Sequence, residues 1–142
     1  MGSEMCIRDS AEMNASSVDA ERHLQIWLYP QARGLAPGCE RVRIDAAGAR
    51  ETWQLIASPD GRDGSATVQQ RALLFVGRPA RGSALGYGLA AHRLGYLHVV
   101  SGALSVDPGL HLRSGDGLRF THHEALELVA EADGTEVLLF DL

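Results

Sequence analysis

The chain has 142 residues, thirteen arginines, no lysine and a formal net charge of −5. A chain of this length reads as one globular domain, able to bury roughly 70% of its unfolded surface without disulfides or a structural metal. No apolar run reaches the ~18–20 residues of a membrane helix, and an acidic balance without a basic cluster speaks against nucleic acid. Two cysteines, Cys6 and Cys39, rule out a disulfide framework and suit a reducing, cytoplasmic setting. The missing lysines read as the codon bias of a GC-rich genome and carry no functional information.

The first ten residues, 1–10, read as a non-native leader. From Met5 the string Met-Cys-Ile-Arg-Asp-Ser resembles a translated transposon-end sequencing adapter, and it lacks the apolar stretch of a signal peptide. With Cys6 set aside, Cys39 has no partner within the chain.

From there the elements follow in order. Leu24, Ile26 and Leu28 alternate with Gln25, Trp27 and Tyr29, which predicts a strand with two usable faces, closed by Pro30. Residues 34–38 are a Gly/Pro loop, 41–44 a short strand and 45–48 a turn. A strand over 53–57 leads into the turn-rich stretch 58–64, whose Asp-Gly pairs tolerate left-handed backbone. Strands are predicted over 66–70 and 72–76, then a loop over 78–82 and an alternation at Leu85, Tyr87 and Leu89. Strands over 96–100 and 103–106 precede a turn at 107–109. Leu110 with Leu112, and Leu118 with Phe120, mark two more strands across the turn 114–117. Residues 124–131 have some helical propensity, but the alternation of Leu126, Leu128 and Ala130 favours strand. Residues 136–140 are apolar enough to be buried on both faces. Short strands with turns every 8–12 residues, and no amphipathic helix of useful length, predict an all-β sandwich or barrel.

Three segments resemble the pirin family, and within it the bacterial quercetin 2,3-dioxygenase-like proteins built from two cupins. The first is His23-Leu24-Gln25-Ile26-Trp27-Leu28 with Arg33-Gly34-Leu35-Ala36-Pro37-Gly38. The second runs from Leu55 to Ser65. The third is Leu97-His98-Val99-Val100-Ser101-Gly102, then Gly115-Asp116-Gly117 and the terminal stretch from Glu136 to Leu142. The resemblance implies a cupin-type β-barrel, the double-stranded β-helix or jelly-roll arrangement. It places residues 45–142 as a C-terminal cupin domain and 11–44 as a remnant of an N-terminal cupin plus the linker between the two.

In the family the N-terminal cupin holds a metal through three His and one Glu. The stretch Glu12-Met13-Asn14-Ala15-Ser16 matches the end of that ligand segment, with Ser10 and Ala11 where the last His and the middle Ser would stand. The resemblance therefore makes Glu12 an orphan metal ligand, with the three His partners absent. One carboxylate cannot hold a transition metal, which needs several converging N and O donors. The resemblance implies no cofactor in this chain, and iron or another divalent transition metal in the parent, used to bring dioxygen to a flavonol-like substrate.

A second metal site would need its own ligands. Cupins use His-x-His, because residues i and i+2 of a strand share a face; here the corresponding strand offers Tyr96-Leu97-His98 alone. A grouping of His92, His98, His111 and His122 is permitted by spacing, but no carboxylate clusters with it, and His122 and His123 point to opposite faces. Exposed or singly bonded histidines are the expectation, and no catalytic residue is assigned. Gly86-Tyr87-Gly88 is not a phosphate loop, since no helix and no lysine follow. Ser58 and Asp60 make a triad only if geometry is ignored, and Cys39 has few basic neighbours to activate its thiol. Arg41, Arg43 and Arg50 read as a solvated face or a contact with the missing domain.

Two functions follow. The first is a structural C-terminal cupin that supports a catalytic N-terminal cupin in cis and is inactive by itself. The second is a free-standing single cupin that binds a small ligand or a protein. If 11–44 has lost its partners, Leu24, Ile26, Trp27 and Leu28 form an apolar edge that promotes self-association.

Overall fold

The computed structural model describes residues 13–45, 47–106, 109–121 and 125–142. A one-turn helix, α1 (Gly48–Glu51), is followed by ten strands among the described residues: β1 (Gln54–Ser58), β2 (Ala66–Thr67), β3 (Leu73–Gly77), β4 (Ala84–Tyr87), β5 (Leu94–Ser101), β6 (Ala103–Val106), β7 (Leu110–Arg113), β8 (Gly117–Thr121), β9 (Leu126–Ala130) and β10 (Glu136–Asp141). They form two sheets, ordered β2-β1-β3-β10-β5-β8 and β4-β9-β6-β7. Among the described residues only the short β1/β2 pairing is parallel. The all-β class expected from the sequence is the one observed, and its two sheets agree with the cupin-type arrangement that the resemblance implied.

Alternation places the core. Along β10, Val137 and Leu139 face the space between the sheets, while Leu138 and Phe140 face outward from the six-stranded sheet. The inner cluster is almost wholly aliphatic. Leu97, Val99, Leu104, Leu128, Val137 and Leu139 are all fully buried, and Phe120 closes over Gly95, where an added Cβ would come within 2.3 Å of its ring. The outer cluster contains Ala57, Leu74, Val76, Val100, Leu138 and Phe140, each no more than 9% exposed. As the sequence suggested, the terminal strand is therefore buried on both faces. It lies between β3 and β5, where both of its backbone edges are paired.

Several local expectations change. Residues 23–29 and 41–44 run extended but join neither sheet. Side-chain bonds tie these stretches to the domain, and between them one backbone bond, Gln31 N–H to Gln69 O at 2.8 Å, does the same. The alternation was legible, but a strand also needs a sheet edge to pair with. The turn expected at 45–48 leads into α1, which buries Ala49 completely and whose Ala49 carbonyl accepts from Arg78 N–H at 2.5 Å. The strand expected over 66–70 stops at Thr67, because its partner β1 ends at Ser58; the side-chain amides of Gln69 and Gln70 donate instead to the carbonyls of Ala36 and Tyr29. Residues 126–130 resolve as strand, with Leu126, Leu128 and Ala130 buried and Glu127 exposed. Among the described residues no helix is long and apolar enough to cross a membrane.

Candidate functional site

The polar chemistry of this domain concentrates at one end of the space between the sheets. Strand alternation carries the row Val137, Leu139 one step further to Asp141, so a carboxylate ends a core-facing row at 4% exposure. Tyr87 extends the Leu85 row of β4 in the same way and donates its hydroxyl to Asp141 Oδ2 at 2.6 Å. Arg93, just before β5, completes the group. Its Nε donates to Asp141 Oδ1, its Nη2 to the Asp141 carbonyl at 2.7 Å and its Nη1 to the Arg71 carbonyl at 2.8 Å. The carboxylate is thus paired and bonded, as a buried charge must be.

Burial, followed by the bond to Asp141 and the charge of that carboxylate, raises the Tyr87 phenol well above its ordinary range. The hydroxyl stays protonated and donating, so it is no general base near neutral pH. Phe75 and Trp53 pack on it, with ring centroids 5.2 Å and 6.4 Å from that of Tyr87, and the Trp53 indole N–H donates to Gly86 O at 2.9 Å. The cluster fastens β4 of one sheet to β3 and β10 of the other, and to Trp53 just before β1. Its groups are committed to each other, and what it does is close the barrel end. The sequence does not mark Asp141, Tyr87 and Arg93 as a group; the one available signal is a charged residue in phase with a buried aliphatic row.

Two grooves flank this end. One, of about 640 Å³, lies between Trp27, Tyr29, Arg71, His92 and Arg93. The other, of about 500 Å³, lies between Trp53, Phe75, Arg62 and Asp63. The loop carrying Arg62 and Asp63 is stiffened from below: Ser58 and Ser65, both buried, share a 2.7 Å hydrogen bond, and Ser58 Oγ donates to Asp60 Oδ1 at 3.0 Å. Ser58 is therefore a loop brace rather than a nucleophile.

The described histidines do not converge on a common site. His98 pairs with Leu138 and shares the outer face of the six-stranded sheet, opposite to Leu97 and Val99. His111 lies opposite Ser105 on the other sheet, exposed and bonded to Glu131 Oε1 at 2.7 Å. His92 sits in a turn with left-handed backbone, φ 66°. His122, His123 and Glu12 lie outside the described residues. Among the described residues no three His, Cys, Asp or Glu are grouped so as to hold a metal ion, and the donor set present does not fit a cupin metal. Cys39 is a free, exposed thiol, and Arg41, Arg43 and Arg50 lie on the surface.

Residues 55–142 match the family described as the quercetinase C-terminal cupin domain. The chain belongs to the pirin family. Quercetin 2,3-dioxygenase of Escherichia coli is 35% identical over 132 residues, covering 93% of this chain and 55% of that protein. The crystal structure of YhhW from Escherichia coli superposes with a TM-score of 0.70 at 34% identity, covering 80% of this chain and 46% of that one. A second structure, of bacterial pirin YhhW in complex with nickel(II), gives the same TM-score at 33% identity, covering 80% of this chain and 47% of that one. This pirin-family chain spans about half the length of the curated relatives it matches.

Proposed function

We propose that this cupin is the structural half of a quercetin 2,3-dioxygenase-like protein. It would support a preceding metal-binding cupin in cis and carry no reaction of its own. The observation that supports this reading is the closed interior. Aliphatic side chains fill the space where a cupin would hold its ligands, and the described histidines of the strands point away from it. A filled barrel is a packing unit, because a metal centre needs converging donors and an open coordination position.

The relatives' greater length is consistent with a second cupin in the intact protein, and the parent's iron or other divalent metal, its dioxygen chemistry and its flavonol-like substrate belong to that half. Cys39, the one cysteine among the described residues, and a reducing cytoplasm suit the same reading. The test is metal analysis of the purified chain after exposure to Fe(II), Ni(II) and Cu(II) followed by desalting. Less than about 0.1 equivalent is expected, since isolated imidazoles bind these ions weakly. Stoichiometric retention would overturn the proposal, as would a genomic stop codon directly upstream with no cupin before it. The latter result would favour the free-standing binding module.

A further inference from the structure

We propose that residues 22–45 are a releasable strap that covers the apolar outer face of the six-stranded sheet. That face carries Val100, Leu138, Phe140 and Leu74, all at least nine-tenths buried, although the second sheet packs on the opposite side. Something must keep water from it, and the strap is anchored where a cover would have to be.

The anchors trace its path. Arg22 Nη2 donates to Val100 O, at the far end of β5, and to Ser114 Oγ at 3.3 Å. Tyr29 O accepts from Gln70 Nε2 at 2.7 Å, and Trp27, Leu28 and Tyr29 share a groove with Ala72, Arg93 and Leu142 at the opposite end of the same sheet. Seven residue steps from Arg22 to Tyr29 span roughly 23 Å when extended, close to the roughly 20 Å from Leu94 to Val100 along β5. The segment therefore runs antiparallel to β5 along the length of the sheet. It then turns down the sheet edge. Ala36 O is held by Gln69 Nε2 at 3.2 Å, Glu40 Oε2 accepts from the β2 backbone at Thr67 at 2.8 Å, and Arg43 O accepts from Gln54 Nε2 at 2.9 Å.

Exposure shows which side faces in. Leu24 and Ile26 are 45% and 40% exposed, whereas Trp27 and Tyr29 are 80% and 88% exposed; Leu28 is half-buried. The alternation of the sequence thus separates a less exposed row, Leu24, Ile26 and Leu28, from a more exposed one, and the strap assigns the first row to the sheet side. The strap shares no strand pairing with the domain and is held by scattered, mostly exposed hydrogen bonds. Segments of that kind open locally at a lower free energy than the core. Opening uncovers the outer cluster while the inner core stays intact.

The test uses the full chain and two readouts: fluorescence of 8-anilinonaphthalene-1-sulfonate, and amide exchange at Gln31, whose N–H bonds to Gln69 O. Ile26→Glu puts a charge in the inner row. It should raise dye fluorescence about threefold and Gln31 exchange about tenfold, with the β10 amides still protected. Trp27→Ser, on the outer row, should change neither. Gln70→Ala removes one tether at a half-buried position, should shift Gln31 in the same direction by a smaller factor, and decides the matter if Ile26→Glu also unprotects β10. The proposal fails if Gln70→Ala leaves Gln31 exchange at the wild-type rate, if a folded Ile26→Glu binds no more dye than wild type, or if Trp27→Ser raises dye binding as much as Ile26→Glu does.

Discussion

Asp141 is the residue on which the barrel end depends. With its side chain 6% exposed against 22% for Arg93, the pair is desolvated enough that losing one partner strands a charge. Arg93→Met should therefore destabilise the domain by roughly 3 kcal/mol in urea unfolding, in the range for a broken buried ion pair. Tyr87→Phe removes one bond to a carboxylate that Arg93 still holds, and should cost about 1–2 kcal/mol. The same phenol makes a pH prediction. Its folded pKa is raised, so the folded state keeps a proton that the unfolded chain loses above about pH 10. The Tyr87 contribution is fully present below that pH and declines as pH rises further. Comparing alkaline unfolding of wild type and Tyr87→Phe isolates it. Equal alkaline slopes would contradict the assignment.

At the scale of elements, the turns between strands set the spacing of the sheets, and two glycines separate the reasons. Gly102 joins β5 to β6 with φ 78°, and an added Cβ would lie 2.6 Å from the Thr135 Cα. Thr135 is itself fixed, donating to Ala132 O at 2.7 Å, so the neighbour cannot yield. Gly82 has φ 82° with nothing within 4 Å. Gly82→Ala should cost about 1–2 kcal/mol from backbone strain alone, and Gly102→Ala about 3 kcal/mol or more because overpacking adds to the strain. Thermal or urea melts of the two variants read the difference directly. The terminal strand makes the complementary point: β10 completes the six-stranded sheet from the centre, so its apolar residues feed the inner and outer clusters at once.

For the whole molecule, the largest exposed apolar groups of the extended segment are Trp27 and Tyr29. Exposed aromatics in such a row mark a surface that associates. The purified chain should self-associate at high concentration, and Trp27→Ser with Tyr29→Ser should reduce this in sedimentation velocity without lowering stability. Deleting residues up to Tyr29 is a different experiment. It removes the outer row, but the strap geometry has it also uncover Leu138 and Phe140, so less association after the deletion would speak for the outer row and more would speak for the sheet face beneath.

The sequence by itself determined the all-β class, most strand positions and the family, because period-two alternation and Gly/Asp turn chemistry are local signals that survive without a partner. It marked Leu126, Leu128 and Ala130 as one buried face, and 136–140 as buried on both. Tertiary structure decided what depends on meeting a distant residue. The pattern at 24–28 reads as strand, yet the segment pairs with neither sheet and is held by side-chain bonds instead. The histidines are countable in the sequence, but only the register of β5 and β7 sends His98 and His111 to opposite outer faces. Asp141, Tyr87 and Arg93 lie up to 54 positions apart along the chain, and no local pattern announces that they meet. A buried charge is tolerable only with its partners in place, and Asp141 on β10 finds them on β4 and in the turn before β5.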